Sequence, residues 1–189
     1  MFFVIGFAAG AWAPLVPFAE QRLALDDGAL GLLLVCLGVG SIVAMPLAGA
    51  LAARVGCRRV LIVAAAIACL AFPVLATTSS VPLLAVALFL FGGGIGSLDC
   101  VINVQAIAVE RDGGRAMMSG FHALYSLGGF AGAGAVSGLI GLDVALLGVS
   151  LAVAMLMALA TAVATPGLLS RRADARVMRR SPSRTASCC

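Results

Sequence analysis

Apolar residues fill six long blocks of this chain, and short polar stretches separate them. The first block runs from Met1 to Phe18 and the second from Gly28 to Ala52. The third spans Val60 to Ala76, the fourth Leu83 to Ala108, the fifth Ala116 to Ile140 and the sixth Val144 to Ala164. Most are close to the ~20 apolar residues that carry a helix across hydrocarbon, and the first falls just short. It lacks the basic leader and small-residue cleavage site of a signal peptide. Pro14 and Pro17 are expected to bend or end its helix. Trp12 reads as an interfacial anchor or, less favoured, a cavity-facing ring. The fold class that follows is all-α, a polytopic membrane bundle of six transmembrane helices. It divides into a bundle over 1–168 and an arginine-rich cytoplasmic tail over 169–189, which composition marks as disordered.

Composition sharpens that picture. The chain is 62% hydrophobic and 11% charged, against about 45–50% and about a quarter in soluble domains. Its 23 glycines point to closely packed helices, and Gly6 and Gly10 form one small-xxx-small face. All 12 basic residues are arginine, and no basic patch is interleaved with aromatics, which excludes nucleic acid as a partner. The six cysteines show neither C-x-x-C spacing nor a Cys/His metal pattern, so no metal or other cofactor is expected. The lipid bilayer is the first partner.

Charge placement orients the bundle. The loops 53–59 and 109–115 and the tail hold all the arginines except Arg22. By the positive-inside rule these loops and both termini are cytoplasmic. The bias toward alanine, glycine and arginine, with lysine absent, suggests a bacterial chain, hence an inner-membrane location.

One carboxylate and one histidine lie inside long apolar blocks. Asp99 and Asn103, four apart, stack on one helix face, which Gly92 and Gly96 continue. His122, Tyr125 and Ser126 line a face of the next block. With the intervening turn at the membrane surface, Asn103 and His122 both fall roughly 8–9 Å below it. Adjacent antiparallel helices would then bring carboxylate, amide and imidazole together. Charge in hydrocarbon is expensive, so such a residue is a functional candidate by default. A packing role, with Asp99 bonded to Asn103 or His122, is the competing reading. Gln105 points away from this face and reads as packing.

The loop after the second block reads G-A-L-A-A-R-V-G-C-R-R. It resembles the G-x-L-a-D-R-x-G-R-R signature of the major facilitator superfamily through Gly49, Leu51, Arg54, Gly56, Arg58 and Arg59. Ala53 stands where that signature has an acid. The stretches W-A-P-x-V-P, D-x-x-x-N-x-Q-x-x-x-V-E and F-H-A-x-Y-S-x-G-G resemble bacterial permeases near the fucose permease. The resemblance covers residues 1–168 and implies the N-terminal half of a twelve-helix transporter. It implies a gate network at Gly49, Arg54, Gly56, Arg58 and Arg59, with Glu110 pairing with Arg54 or Arg58. It also implies alternating access around a midplane site, with Asp99, Asn103, His122 and Tyr125 as candidates for substrate binding and proton coupling.

The favoured function is proton-coupled secondary transport of a small, sugar-like solute. Metabolite or drug efflux on the same fold stays open. So does a non-transporting half that needs a second half, whether a second copy or a separately encoded chain. No H-E-x-x-H or nucleophile constellation supports an enzyme.

Overall fold

The computed structural model describes residues 1–114 and 116–167, and the tail expected at 169–189 lies outside the described residues. The described residues are mostly helical, with no strand among them. The first span combines α1 (Phe2–Trp12), a 3-10 turn (Ala13–Leu15) and α2 (Val16–Leu23). Then follow α3 (Asp27–Val55), α4 (Cys57–Thr77), α5 (Val81–Gly113), α6 (Met118–Gly141) and α7 (Leu146–Ala164), which a final 3-10 turn (Thr165–Gly167) extends. Six helices are long and apolar enough to cross a membrane, as the hydrophobic blocks predict.

The helix ends differ from the sequence expectation in instructive ways. The first span continues to Leu23 and reaches 22 residues. Pro14 and Pro17 bend it without ending it, because each lies in the first turn of a new segment, where a missing N–H breaks no bond. Helix α5 runs on through the polar V-E-R-D-G stretch, and Gly114 ends it with a left-handed backbone (φ 63°). The turn from α3 to α4 rests on one residue, Gly56, at φ 94°. Its N–H donates to Ala52 O at 2.9 Å, closing α3 just before α4 begins. A side chain there would be strained.

In hydrocarbon, water does not drive helices together, so close packing and small residues must. Two seams of backbone contact supply this. On α1, Gly6 and Gly10 lie against the Tyr125 and Gly129 backbone of α6, while Gly128 and Gly132 of α6 lie against Phe3 and Phe7. A methyl group at any of the four would overlap a carbonyl oxygen. The second seam joins α3 and α5, where Gly40 meets Phe89, Gly92 meets Leu37 and Gly96 meets Ser41. These two interfaces are the most extensive in the bundle, followed by α4 with α5 and α4 with α7.

Between the seams lie two apolar cores. One gathers Phe7, Trp12, Leu75 and Met157 around Phe72 and Phe91, whose rings meet edge-on at 5.7 Å. Trp12 is thus a core residue, only 6% exposed, and not an interfacial anchor. The 3-10 turn that follows keeps it inside the bundle. The other core, toward the arginine-bearing end, holds Ile5, Leu61, Leu98 and Val101. By contrast, only 11% of the most apolar window of α3 and 17% of that of α6 is buried, against 50% for α4.

Arg22, a mere loop charge in the sequence, has a definite task. Its Nε donates to Thr78 O at 2.7 Å, Nη1 to Ala76 O at 2.6 Å and Nη2 to Leu75 O at 3.2 Å. These carbonyls close α4 and have no partner within their own helix. A cation suits the negative end of the helix dipole, so Arg22 ties the first span to the third.

Two substitutions test this account. Gly128→Leu is expected to destabilise the detergent-solubilised bundle by ~1–3 kcal/mol or more through overpacking. Gly134→Leu, where nothing lies within 4 Å, should leave the melting temperature unchanged. Arg22→Met should cost on the order of 2 kcal/mol, the scale of hydrogen bonds to a charged group. Equal melting curves for wild type and Arg22→Met would remove the capping role.

Candidate functional site

Helix α5 carries the glycine seam along one face and the Asp99–Asn103 pair along another. Its first half packs through Gly92 and Gly96 onto α3, and Cys100 continues that seam 3.9 Å from where a methyl on Gly49 would sit. That gap is ordinary contact, so the Gly49 position would accept a methyl group, unlike the seam glycines. Asp99 is turned about 100° from Cys100 by the helical repeat. It is half-buried, and so is Asn103 one turn later.

The sequence-predicted pair forms. Asn103 Nδ2 donates to Asp99 Oδ1 at 3.2 Å and to the Asp99 backbone oxygen at 2.9 Å. The amide thereby steadies the carboxylate and uses a backbone acceptor of the same helix. Tyr125 of α6, also half-buried, comes within electrostatic reach of the Asp99 carboxylate.

His122 does not join them. Its ring is exposed, and Nδ1 lies 3.0 Å from the Met118 carbonyl oxygen of its own helix. It also approaches Phe2 at 5.9 Å, beside the Phe2–Phe121 stack at 5.2 Å. Two features of the fold explain the separation. Helix α5 continues to Gly113, which places Asp99 roughly 21 Å from that end, whereas His122 is only about 6 Å from the start of α6. Moreover, α6 packs mainly on α1 and barely touches α5. Depth and neighbour both differ from the simple hairpin.

The loop motif is similarly distributed. Gly49 and Arg54 belong to α3, Gly56 makes the turn, and Arg58 and Arg59 open α4. Glu110 Oε2 accepts from the backbone N–H groups of Met117 at 3.3 Å and Met118 at 3.0 Å. It therefore caps the start of α6, where N–H groups lack helical partners and a negative charge is favourable. Arg58 instead lines a groove between α4 and α7. The resemblance implies that Glu110 pairs with Arg54 or Arg58; the bonds described for its carboxylate go to the α6 backbone, and Arg58 lies along the α4–α7 groove.

Two buried polar atoms lack hydrogen-bond partners among the described residues: Trp12 Nε1 and Gln105 Nε2. Gln105 is 4% exposed and is packed on a face other than that of Asp99, as its helical position predicts. No cluster of three or more metal-ligating side chains occurs among the described residues.

The family model of the Major Facilitator Superfamily matches residues 1–186. An uncharacterized MFS-type transporter of Yersinia pestis is 48% identical over 89% of this chain and 44% of its own length. An uncharacterized transporter of Sinorhizobium fredii is 37% identical over 70% of this chain and 35% of its own. The membrane protein MosC of Rhizobium meliloti is 31% identical over 69% and 32%, respectively. The chain thus spans less than half the length of these curated relatives. No solved structure matches. With six membrane-spanning helices, the glycine-turn loop after the second span and a match along nearly its whole length, the chain belongs to the Major Facilitator Superfamily.

Proposed function

We propose that this chain forms the N-terminal half of a proton-coupled secondary transporter for a small, sugar-like solute. The family and the transporter names of its relatives indicate a membrane transporter and not an enzyme. The observation that carries the finer reading is Asp99, a half-buried carboxylate in the fourth span, bonded to Asn103 and within electrostatic reach of Tyr125. A carboxylate in hydrocarbon is costly when charged, so taking up or releasing a proton changes its preference between wet and dry surroundings. A transporter can couple that preference to alternating access. In this reading Asp99 carries the proton, Asn103 orients it, and Tyr125 offers a hydroxyl to the solute. His122, near the start of α6, stands at the entrance and not at the coupling site. Gly56, Arg54 and Arg59 shape the gate loop, and Glu110 sets the start of α6.

The bare faces of α3 and α6 support a second six-helix body as their cover. Either a second half or a second copy of this chain would close a cavity over the Asp99 face. The bundle sits in the bacterial inner membrane, with the arginine-bearing loops in the cytoplasm.

Transport is tested with the chain assembled with its complementary half in proteoliposomes. Adding a monosaccharide panel outside should alkalinise the external medium if sugar and proton enter together. Efflux by antiport would give the opposite sign. Asp99→Asn is expected to reduce proton-driven accumulation at least tenfold while leaving membrane insertion intact. Wild-type accumulation in that variant would rule out coupling through Asp99. For topology, a single cysteine at Ser79 in an otherwise cysteine-free chain should react with an impermeant thiol reagent added to intact spheroplasts. Reaction only after lysis would invert the assigned orientation.

A further inference from the structure

Helices α4 and α7 flank an open groove of about 550 Å³. Its walls are made of small side chains on both sides, among them Ala65, Ala66 and Cys69 on α4 and Ala158 and Ala162 on α7. Facing small residues usually let helices close up, but here they leave a slot. The polar groups in it are already used. Thr161 Oγ1 donates to Met157 O at 2.7 Å, and Thr165 Oγ1 donates to Thr161 O at 2.5 Å. The walls are therefore apolar in effect, and among the described residues the one charge along them is Arg58, at the end where α4 begins.

Size and charge together define an occupant. From Arg58 to Leu70, the far lining residue on α4, the helix rises roughly 18 Å. One leaflet of hydrocarbon is about half of ~30 Å. The groove is thus as deep as a single leaflet, with a guanidinium at the level of the headgroups. Arginine keeps its head at that interface while its stem lies along apolar surface, and it matches phosphate oxygens with paired donors. Basic pockets between membrane helices suit anionic headgroups on general electrostatic grounds.

We propose that the α4–α7 groove is a binding site for an anionic phospholipid of the leaflet on the arginine-bearing side. One acyl chain fills the slot between the alanine walls, and Arg58 holds the phosphate. The adjacent Arg59 turns to the other side of α4, where it tops a smaller groove of about 230 Å³ shared with α3. Neighbouring arginines of one turn therefore serve different surfaces, and only Arg58 serves this site. The site requires no transport activity.

The test is native mass spectrometry of the full chain, released from detergent after equilibration with equal amounts of phosphatidylglycerol and phosphatidylcholine. Wild type is expected to retain phosphatidylglycerol at least fivefold over phosphatidylcholine. Arg58→Gln should abolish that preference, and Ala162→Trp, which fills the slot from the lipid-facing side, should lower retention of both lipids. Ala66→Trp repeats the block from the opposite wall if either variant is poorly folded by circular dichroism. Arg59→Gln should keep at least half of the preference. Glycerol phosphate, a headgroup without chains, should not compete at equal concentration. The proposal is overturned if wild type shows no preference, if Arg58→Gln keeps it, or if both tryptophan variants retain lipid like wild type. Equal losses in Arg58→Gln and Arg59→Gln would reduce the effect to diffuse surface charge and likewise overturn it.

Discussion

Backbone contact at two glycine seams is the constraint on which the arrangement of this bundle depends. Between membrane helices, apolar side chains gain little by leaving lipid for protein, so specificity comes from how closely the backbones approach. Gly6, Gly10, Gly128 and Gly132 fix α1 to α6, and Gly40, Gly92 and Gly96 fix α3 to α5. Each seam pairs an inner helix with an outer one. The outer helices α3 and α6 then keep most of their remaining surface bare. In the proposed function, a second six-helix body covers that bare surface.

The same seams decide the surroundings of the buried carboxylate. Because α6 is locked onto α1, it cannot also pack along α5. Asp99 finds its hydrogen-bond donor on its own helix, in Asn103, with Tyr125 of α6 within electrostatic reach. His122 is left in the first turns of α6, bonded to its own helix backbone. A local amide partner and a distant hydroxyl leave the carboxylate in a chemically simpler setting than a carboxylate–imidazole pair would.

Charges at the bundle's ends organise the chain without entering hydrocarbon. Arg22 closes α4, and Glu110 opens α6, so each occupies a helix terminus of the opposite partial charge. Arg58 and Arg59 part to either side of α4. In each case the charged group sits at a helix terminus or at the end of a groove, near the ends of the spans.

The amino-acid sequence alone determined the number of spans, their all-helical class and the Asp99–Asn103 pair. These depend on hydropathy, helical periodicity and the four-residue spacing of one helix, all of which are local. The loop motif and the small-xxx-small face were legible for the same reason. Which helices touch was decided only in the tertiary structure. Nothing local says that Gly128 and Gly132 seat against α1, that α5 extends to Gly113, or that Trp12 turns into a core. The separation of His122 from Asp99, the capping by Arg22 and Glu110, and the groove beneath Arg58 all follow from that long-range choice. Backbone interlocking between segments far apart in the chain has no periodic signature, and so it can be seen only when the helices are packed.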